Sequence, residues 1–203
     1  MTRGEYFNSI SHLIGAVLAL VGASVLVTVA VIEQDVAKIV SFTVYGVTLF
    51  LLYLASTLYH SFTGRLKLIF QWFDHMAIYW LIAGTYTPIA VLAIGGSTGQ
   101  GLLMVVWGLA LIGCVLETLP IKLHDAVTTT IYLAMGWSCM FVMEAMIAGL
   151  DPLAFQLLVL GGILYSIGVI FYVLDYWLPW CHEIWHVFVL AGSTAHYLTM
   201  FWL

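Results

Sequence analysis

Long apolar runs, separated by short polar or glycine-rich interruptions, dominate the sequence. A helix needs about 20 apolar residues to cross the hydrocarbon core of a membrane, and it satisfies its own backbone hydrogen bonds. On this criterion the runs predict seven spans, at residues 11–32, 39–62, 72–94, 102–119, 126–148, 152–174 and 182–203. The pattern therefore predicts an all-α polytopic membrane protein, a seven-transmembrane helix bundle that fills residues 1–203 as a single domain.

The interruptions between these runs are short and contain glycine, proline or charged residues, as chain reversals require. The predicted connections are residues 33–38, 63–71, 95–101, 120–125, 149–151 and 175–181. A count of six spans would have to carry residues 74–117 across the membrane once. That stretch is too long for one crossing and is interrupted by the segment GGSTGQG, so seven spans are preferred.

Composition excludes several classes of protein. The chain is 64% hydrophobic and 7% charged, which is typical of a surface that faces lipid. Five Lys and Arg residues against ten Asp and Glu, with no basic cluster, exclude nucleic-acid binding. The three isolated cysteines, Cys114, Cys139 and Cys181, are interpreted as small hydrophobic residues.

The few basic residues favour one orientation. With seven spans, the N-terminus and the second, fourth and sixth connections lie on one side of the membrane, and they contain Arg3, Arg65, Lys67 and Lys122. The opposite side contains Lys38. Because positive charge accumulates on the cytoplasmic side, we expect a cytosolic N-terminus and an outer C-terminus. The expected location is the inner (plasma) membrane, with multiple passes.

Ionisable residues within the spans concentrate at one end of the predicted bundle. The second span ends at Ser56 and His60, the third begins with Asp74, and the seventh begins with His182 and His186. Three segments that are distant in sequence thus bring these side chains to one membrane depth. Such residues are costly inside a membrane unless they pair, face a cavity or bind an ion.

The spacing of the histidines indicates a metal site. His182 and His186 are four residues apart, so their rings project to the same side of a helix, and Ser56 and His60 share this spacing. Three imidazoles with a fourth position left to water form a known catalytic zinc arrangement, and zinc fits these ligands best. The alternative is that each histidine bonds a backbone carbonyl near a helix end.

Four segments of the sequence carry a family resemblance. They are EYFNSISHLIGA (5–16), STLYHS (56–61), FDHMAIYWLIAGTYTP (73–88) and HEIWHVFVLAGSTAH (182–196). Together they resemble the bacterial hemolysin III family, which is grouped with the progestin and adipoQ receptors and, more distantly, with the alkaline ceramidases.

The resemblance implies specific roles for the matching residues. It implies a seven-helix bundle that binds zinc near the inner face through His60, His182 and His186, with a water held with help from Asp74 and Ser56. Physically, Asp74 is suited to take a proton from that water as a general base. Ser56 could donate a hydrogen bond at the site or bond back to the carbonyl of residue 52.

Other polar residues are interpreted more simply. Glu5, Asn8 and His12 form a stripe on the first turns of the first helix, read as support or a cap over the site, or as ordinary packing. His75 lies about 100° around the helix from Asp74, which makes it a poor ligand, and it is expected to make a helix–helix contact or to contact a ligand from outside the site. His196 lies about 15 Å along its helix from His186, too far to share an ion with it. It is expected to line an outer cavity or, in preference, to make an interhelical hydrogen bond.

Two classes of function remain open on the sequence. The first is a zinc-dependent membrane hydrolase whose substrate or ligand is a membrane lipid, with an amide favoured over an ester by the kinship with ceramidases. The second is a non-enzymatic membrane protein, either a sensor with a structural zinc or a cytolytic hemolysin. A retinal-type pump is excluded, because no lysine follows Lys122.

Overall fold

The computed structural model describes residues 5–119 and 125–203, and these ranges contain helices and no β-strand. The helices are α1 (Glu5–Ile32), α2 (Val36–Ser61), α3 (Gly64–Pro88), α4 (Gly96–Thr118), α5 (Asp125–Gly136), α6 (Met143–Gly149), α7 (Pro152–Leu174) and α8 (Cys181–Thr199). A π-helical turn, Ile89–Ile94, extends α3, and 3₁₀ turns at Trp137–Val142 and Met200–Trp202 follow α5 and α8. The predicted all-α class is confirmed.

Six helical segments of the described chain are long and apolar enough to cross a membrane, with α5 and α6 joined into one of them, Ala126–Gly149. The remaining long helix, α8, is less hydropathic because its 19 residues include three histidines and Glu183. It packs along α7 and also contacts α1. The polytopic membrane protein predicted from the apolar runs is therefore confirmed, with α8 as the polar seventh helix.

The outer surface of the bundle is apolar, as lipid contact requires. Helix α1 illustrates the arrangement, since its large side chains point outward and its small ones point inward. The exposed set includes Leu13, Ile14, Val17, Leu18 and Val21. The buried set includes Gly15, Ala16, Ala19 and Gly22. Because its small side chains face inward, α1 can pack closely against α2 and α8, and its branched side chains face the hydrocarbon.

Polar side chains specify two of the helix starts. The carboxylate of Asp35 accepts a hydrogen bond from the Lys38 backbone N–H at 3.0 Å, which caps α2. Asp151 accepts one from the Leu153 N–H at 2.8 Å, and Pro152 follows it at the first helical position. Both caps lie at the end of the bundle opposite to His60.

Two predicted connections are shorter than expected. Residues 63–71 were predicted to be a connection, but α3 begins at Gly64. The polar residues of this segment occupy the first turns of a helix that is longer than its apolar part. Residues 95–101 contract to a turn at Gly95 and Gly96, whose φ angles of 64° and 54° favour glycine.

The other predicted span boundaries differ less from the ends of the observed helices. The predicted span at 152–174 coincides with α7, and the span at 39–62 lies within three residues of α2 at both ends. The first span, predicted from residue 11, begins at Glu5 in α1. The span predicted at 126–148 is interrupted by the 3₁₀ turn Trp137–Val142. Across this interruption the Tyr86 hydroxyl of α3 donates to the Gly136 carbonyl at 2.6 Å and accepts from the Cys139 N–H at 2.9 Å. Arg3, Lys122 and most of the predicted connection 120–125 lie outside the described residues.

Close helix packing gives a testable expectation for stability. A Cβ atom added at Gly84 would lie 2.0 Å from the Thr48 Oγ1, at the contact between α3 and α2. We expect Gly84→Ala to destabilise the protein by about 1–3 kcal/mol, the usual cost of overpacking. The matched control is Gly108→Ala, where the described chain has no atom within 4 Å of the added Cβ. Equal melting temperatures for the two variants in detergent would contradict this packing.

Candidate metal centre

Four helix segments converge at one end of the bundle. His60 lies in the last turn of α2, and His182 and His186 lie in the first two turns of α8. Glu5 begins α1, and Asp74 lies in the first half of α3. The bundle thus places at one depth the ionisable residues that the sequence pattern assigned to it.

The three histidines form a compact cluster. One potential ligand atom from each of His60, His182 and His186 lies within 4.8 Å of those of the other two, so the group could hold a metal ion. The ring centroids are 5.2 Å apart for His60 and His182, 4.9 Å for His60 and His186, and 5.0 Å for His182 and His186. His60 and His186 are buried, and His182 is half-buried at the edge.

Carboxylates contact two of these rings from outside the cluster. The Nδ1 atom of His60 is hydrogen-bonded to the Glu5 carboxylate, whose second oxygen accepts a hydrogen bond from Lys67 Nζ at 2.5 Å. The Nδ1 atom of His182 lies 3.2 Å from an oxygen of Asp175, the residue that follows α7. Each of these rings therefore has its Nδ1 atom engaged by a carboxylate.

The third ring has a different neighbour. His186 stacks on His12 of α1, with centroids 3.8 Å apart and an interplanar angle of 27°. Within the described chain, both ring nitrogens of His12, the Nδ1 of His186 and the Oδ1 of Asn8 are buried without a hydrogen-bond partner. A buried nitrogen without a hydrogen-bond partner lowers the stability of the fold. A metal ion bound among the rings would accept the lone pair of a ring nitrogen and so remove this cost. The donor set therefore fits a metal such as zinc, which prefers imidazole nitrogen.

Asp74 and Ser56 face the cavity that the cluster lines. Ser56 is buried, and its hydroxyl is a neighbour of the Asp74 carboxylate, together with the His75 ring. Both residues line the same cavity as His182 and His186. Ser56 thus lies next to the carboxylate with which the resemblance associates it.

His75 and His196 have partners outside the cluster. The Nδ1 of His75 is 3.3 Å from an oxygen of Glu117, which joins α3 to α4 and matches the helix–helix contact expected for it. The Nε2 of His196 lies 3.1 Å from the Leu158 carbonyl, the interhelical hydrogen bond expected between α8 and α7. His124 lies outside the described residues.

A cavity of about 780 Å³ extends from the histidine cluster into the bundle. Its lining runs from Asp74 and His186 at one end to Phe155 and His196 toward the other, with apolar side chains from α3, α5, α7 and α8 between them. This volume lies within the usual range of roughly 300–1,000 Å³ for small-molecule sites. The polar cluster therefore forms one end of a deep and largely apolar chamber.

Residues 2–197 match the family model described as Haemolysin-III related. This chain belongs to the haemolysin III family. The protein is 44% identical over 196 residues to a Hemolysin-3 homolog from Bacillus subtilis (strain 168), an alignment that covers 95% of this chain and 91% of that relative. It is 41% identical over 192 residues to Hemolysin-3 from Bacillus cereus, covering 94% and 87% of the two chains.

The family extends to mammalian proteins. Over 198 residues, the haemolysin III chain is 30% identical to the human Monocyte to macrophage differentiation factor, covering 94% of this chain and 80% of the human one. This relationship fits the wider progestin and adipoQ receptor superfamily to which the quoted motifs pointed. The matched region includes all three clustered histidines and every helix up to α8.

Two contacts of this haemolysin III site were missed by the sequence analysis. Asp175 was read as part of a connection, although it lies seven residues before His182, a distance that a tight turn can close. The sequence pattern predicts Lys67 in a loop, yet it lies in α3 and donates a hydrogen bond to Glu5. Both lie in segments whose polarity predicts connections, so the sequence pattern does not indicate that they are neighbours of the cluster.

Proposed function

We propose that this haemolysin III protein is a zinc-dependent membrane hydrolase that acts on a lipid amide or, less favourably, a lipid ester. One observation carries the proposal: a cluster of three imidazoles, two of them buried, shares a large and mostly apolar chamber with the Asp74 carboxylate. A purely structural metal would need the same ligands, but it would not need a chamber that reaches them.

The donor atoms support the choice of zinc. His60, His182 and His186 would hold zinc through nitrogen atoms, and three protein ligands leave a fourth position for water or substrate. Zinc held in this way supplies Lewis acidity, which polarises a carbonyl and lowers the pKa of a water to roughly 7.

The chain's own residues supply the proton transfers. Asp74 would accept a proton from the water as the water oxygen attacks the carbonyl carbon. The same carboxyl then delivers that proton to the departing amine nitrogen as the C–N bond breaks, which leaves a carboxylic acid and an amine. Ser56, adjacent to Asp74, would orient this carboxylate or donate to the oxygen on which negative charge develops.

The chamber selects the class of substrate. Its lining is mostly apolar between the cluster and His196, which suits a long hydrocarbon chain with its polar group at the histidines. In the most apolar stretch of each helix, 11% of the residues of α7 and 17% of those of Ala126–Gly149 are buried. The corresponding value for Gly64–Ile94 is 61%. Both segments line the chamber and expose most of their residues, and we infer that a lipid enters sideways between α5 and α7.

The proposed setting is the inner (plasma) membrane, with the N-terminus and the histidine cluster toward the cytosol. The charge distribution supports this orientation, since Arg65 and Lys67 lie at the cluster end of the bundle and Lys38 lies at the other. A cytosolic cluster would meet lipids of the inner leaflet.

The direct test combines metal analysis with turnover. Purified protein should contain about one zinc per chain and should hydrolyse at least one member of a panel of long-chain lipid amides and esters, measured by mass spectrometry. Chelation should remove the activity, and zinc should restore it. Zinc without turnover on any lipid would instead favour a sensor with a structural metal, and vesicle leakage without turnover would favour a cytolysin.

A further inference from the structure

The proton positions on two rings of the cluster follow from their partners. An ionised carboxylate can only accept hydrogen bonds, so the Nδ1 atoms of His60 and His182 must carry protons that they donate to Glu5 and Asp175. A neutral imidazole has one proton, and the lone pair is then on Nε2. Both rings are thereby fixed in the tautomer that presents Nε2 as a ligand.

From these contacts we infer that Glu5 and Asp175 are positioning residues of the metal site, which orient His60 and His182 and increase the basicity of their ligand nitrogens. The inference rests on the proposed metal site and deepens it. A carboxylate that accepts the second N–H of a ligand histidine raises metal affinity, and its loss typically costs 10–100-fold. The first turn of α1 and the end of α7 therefore contribute to binding without touching the ion.

The two carboxylates are not equivalent. The side chains of His60 and Glu5 are 4% and 23% exposed, and Lys67 Nζ holds the second oxygen of Glu5 at 2.5 Å. The side chains of His182 and Asp175 are 24% and 40% exposed, so water competes for that hydrogen bond. Glu5 is therefore expected to contribute more to affinity than Asp175.

Glu5 lies in α1, the helix that also contacts the third ring of the cluster, His186. His12 lies seven residues after Glu5 on the same face of α1, and its ring stacks on His186. The inner face of α1 thus contacts two of the three rings of the cluster. This arrangement explains why a polar stripe occupies the start of an otherwise apolar helix.

The test is a titration of metal-free protein in detergent with zinc, using a competing chelator. We expect Glu5→Gln, which keeps an acceptor but loses the charge, to weaken zinc binding about tenfold, and Glu5→Ala to approach 100-fold. Asp175→Asn should reduce zinc affinity by a smaller factor than Glu5→Gln does. The matched control is Glu33→Gln, since Glu33 pairs with Lys38 in an exposed contact at the other end of the bundle.

Melting temperatures distinguish positioning from ordinary packing. If Glu5 acts through His60, Glu5→Gln should reduce the rise in melting temperature that zinc produces, while the metal-free protein melts near its wild-type temperature. An equal decrease with and without zinc, or affinities in Glu5→Gln and Glu5→Ala that match wild type, would overturn the inference. His60→Ala is measured in parallel, because undiminished zinc binding in that variant would reject the metal site itself rather than the role of Glu5.

Discussion

Replacing His186 with alanine is expected to leave purified protein with less than about a tenth of the zinc bound by wild type under the same conditions. His186 is the most buried ring of the cluster, and the change leaves two imidazoles where a stable zinc site needs at least three protein ligands. Metal content per chain, measured by elemental analysis after exhaustive dialysis, checks this result.

Another histidine on the same helix provides the matched control. His196 is hydrogen-bonded to the Leu158 carbonyl and lies outside the cluster, so His196→Ala should retain zinc even if its melting temperature decreases. Cys181→Ala should also retain zinc, although Cys181 is adjacent to His182. Full zinc occupancy in His186→Ala would show that the ion is bound by other residues.

The second large effect is expected at Asp74. Asp74→Asn preserves the shape of the side chain and can still interact with Ser56, but an amide cannot take a proton from the attacking water. We expect zinc content and folding to remain nearly intact while hydrolysis of a long-chain lipid amide falls by roughly 10²–10⁴-fold, as for loss of a general base. Turnover is measured on a substrate identified with the wild-type protein.

A matched aspartate lies at the opposite end of the bundle. Asp35 caps α2, and asparagine is an equally good cap, so Asp35→Asn should leave both zinc and turnover unchanged. A role for Asp74 in supporting a structural metal would produce a different pattern. In that case Asp74→Asn would lower zinc affinity and melting temperature, and wild type would show no turnover across the lipid panel.

The helices could be predicted from the sequence because a membrane imposes a minimum length on every apolar run. The position of the histidine cluster could also be predicted, since His60, His182 and His186 lie at corresponding depths once the spans are counted. Boundaries in polar sequence could not be predicted in the same way. Arg65 and Lys67 resemble loop residues, yet they belong to α3, because a helix can extend past the hydrocarbon into the interface.

The contacts around the cluster depend on rotations about helix axes that no single span specifies. The stripe on α1 indicated an inward face, but it could not indicate that Glu5 binds His60 or that His12 stacks on His186. The contact of Asp175 could not be predicted because its partner, His182, lies on the other side of a turn. The chamber is a property of gaps between helices, so it has no signature in any one segment.

The contact between Tyr86 and the interrupted helix constrains how this protein can assemble. At the 3₁₀ turn after α5, the Gly136 carbonyl and the Cys139 N–H are satisfied by one phenolic hydroxyl from α3. In lipid each unsatisfied backbone group costs several kcal/mol, so residues 126–149 cannot rest in this form as a separate helix in the bilayer. The fifth span therefore takes its final shape only when it packs against α3, so two segments about 50 residues apart form this part of the bundle together.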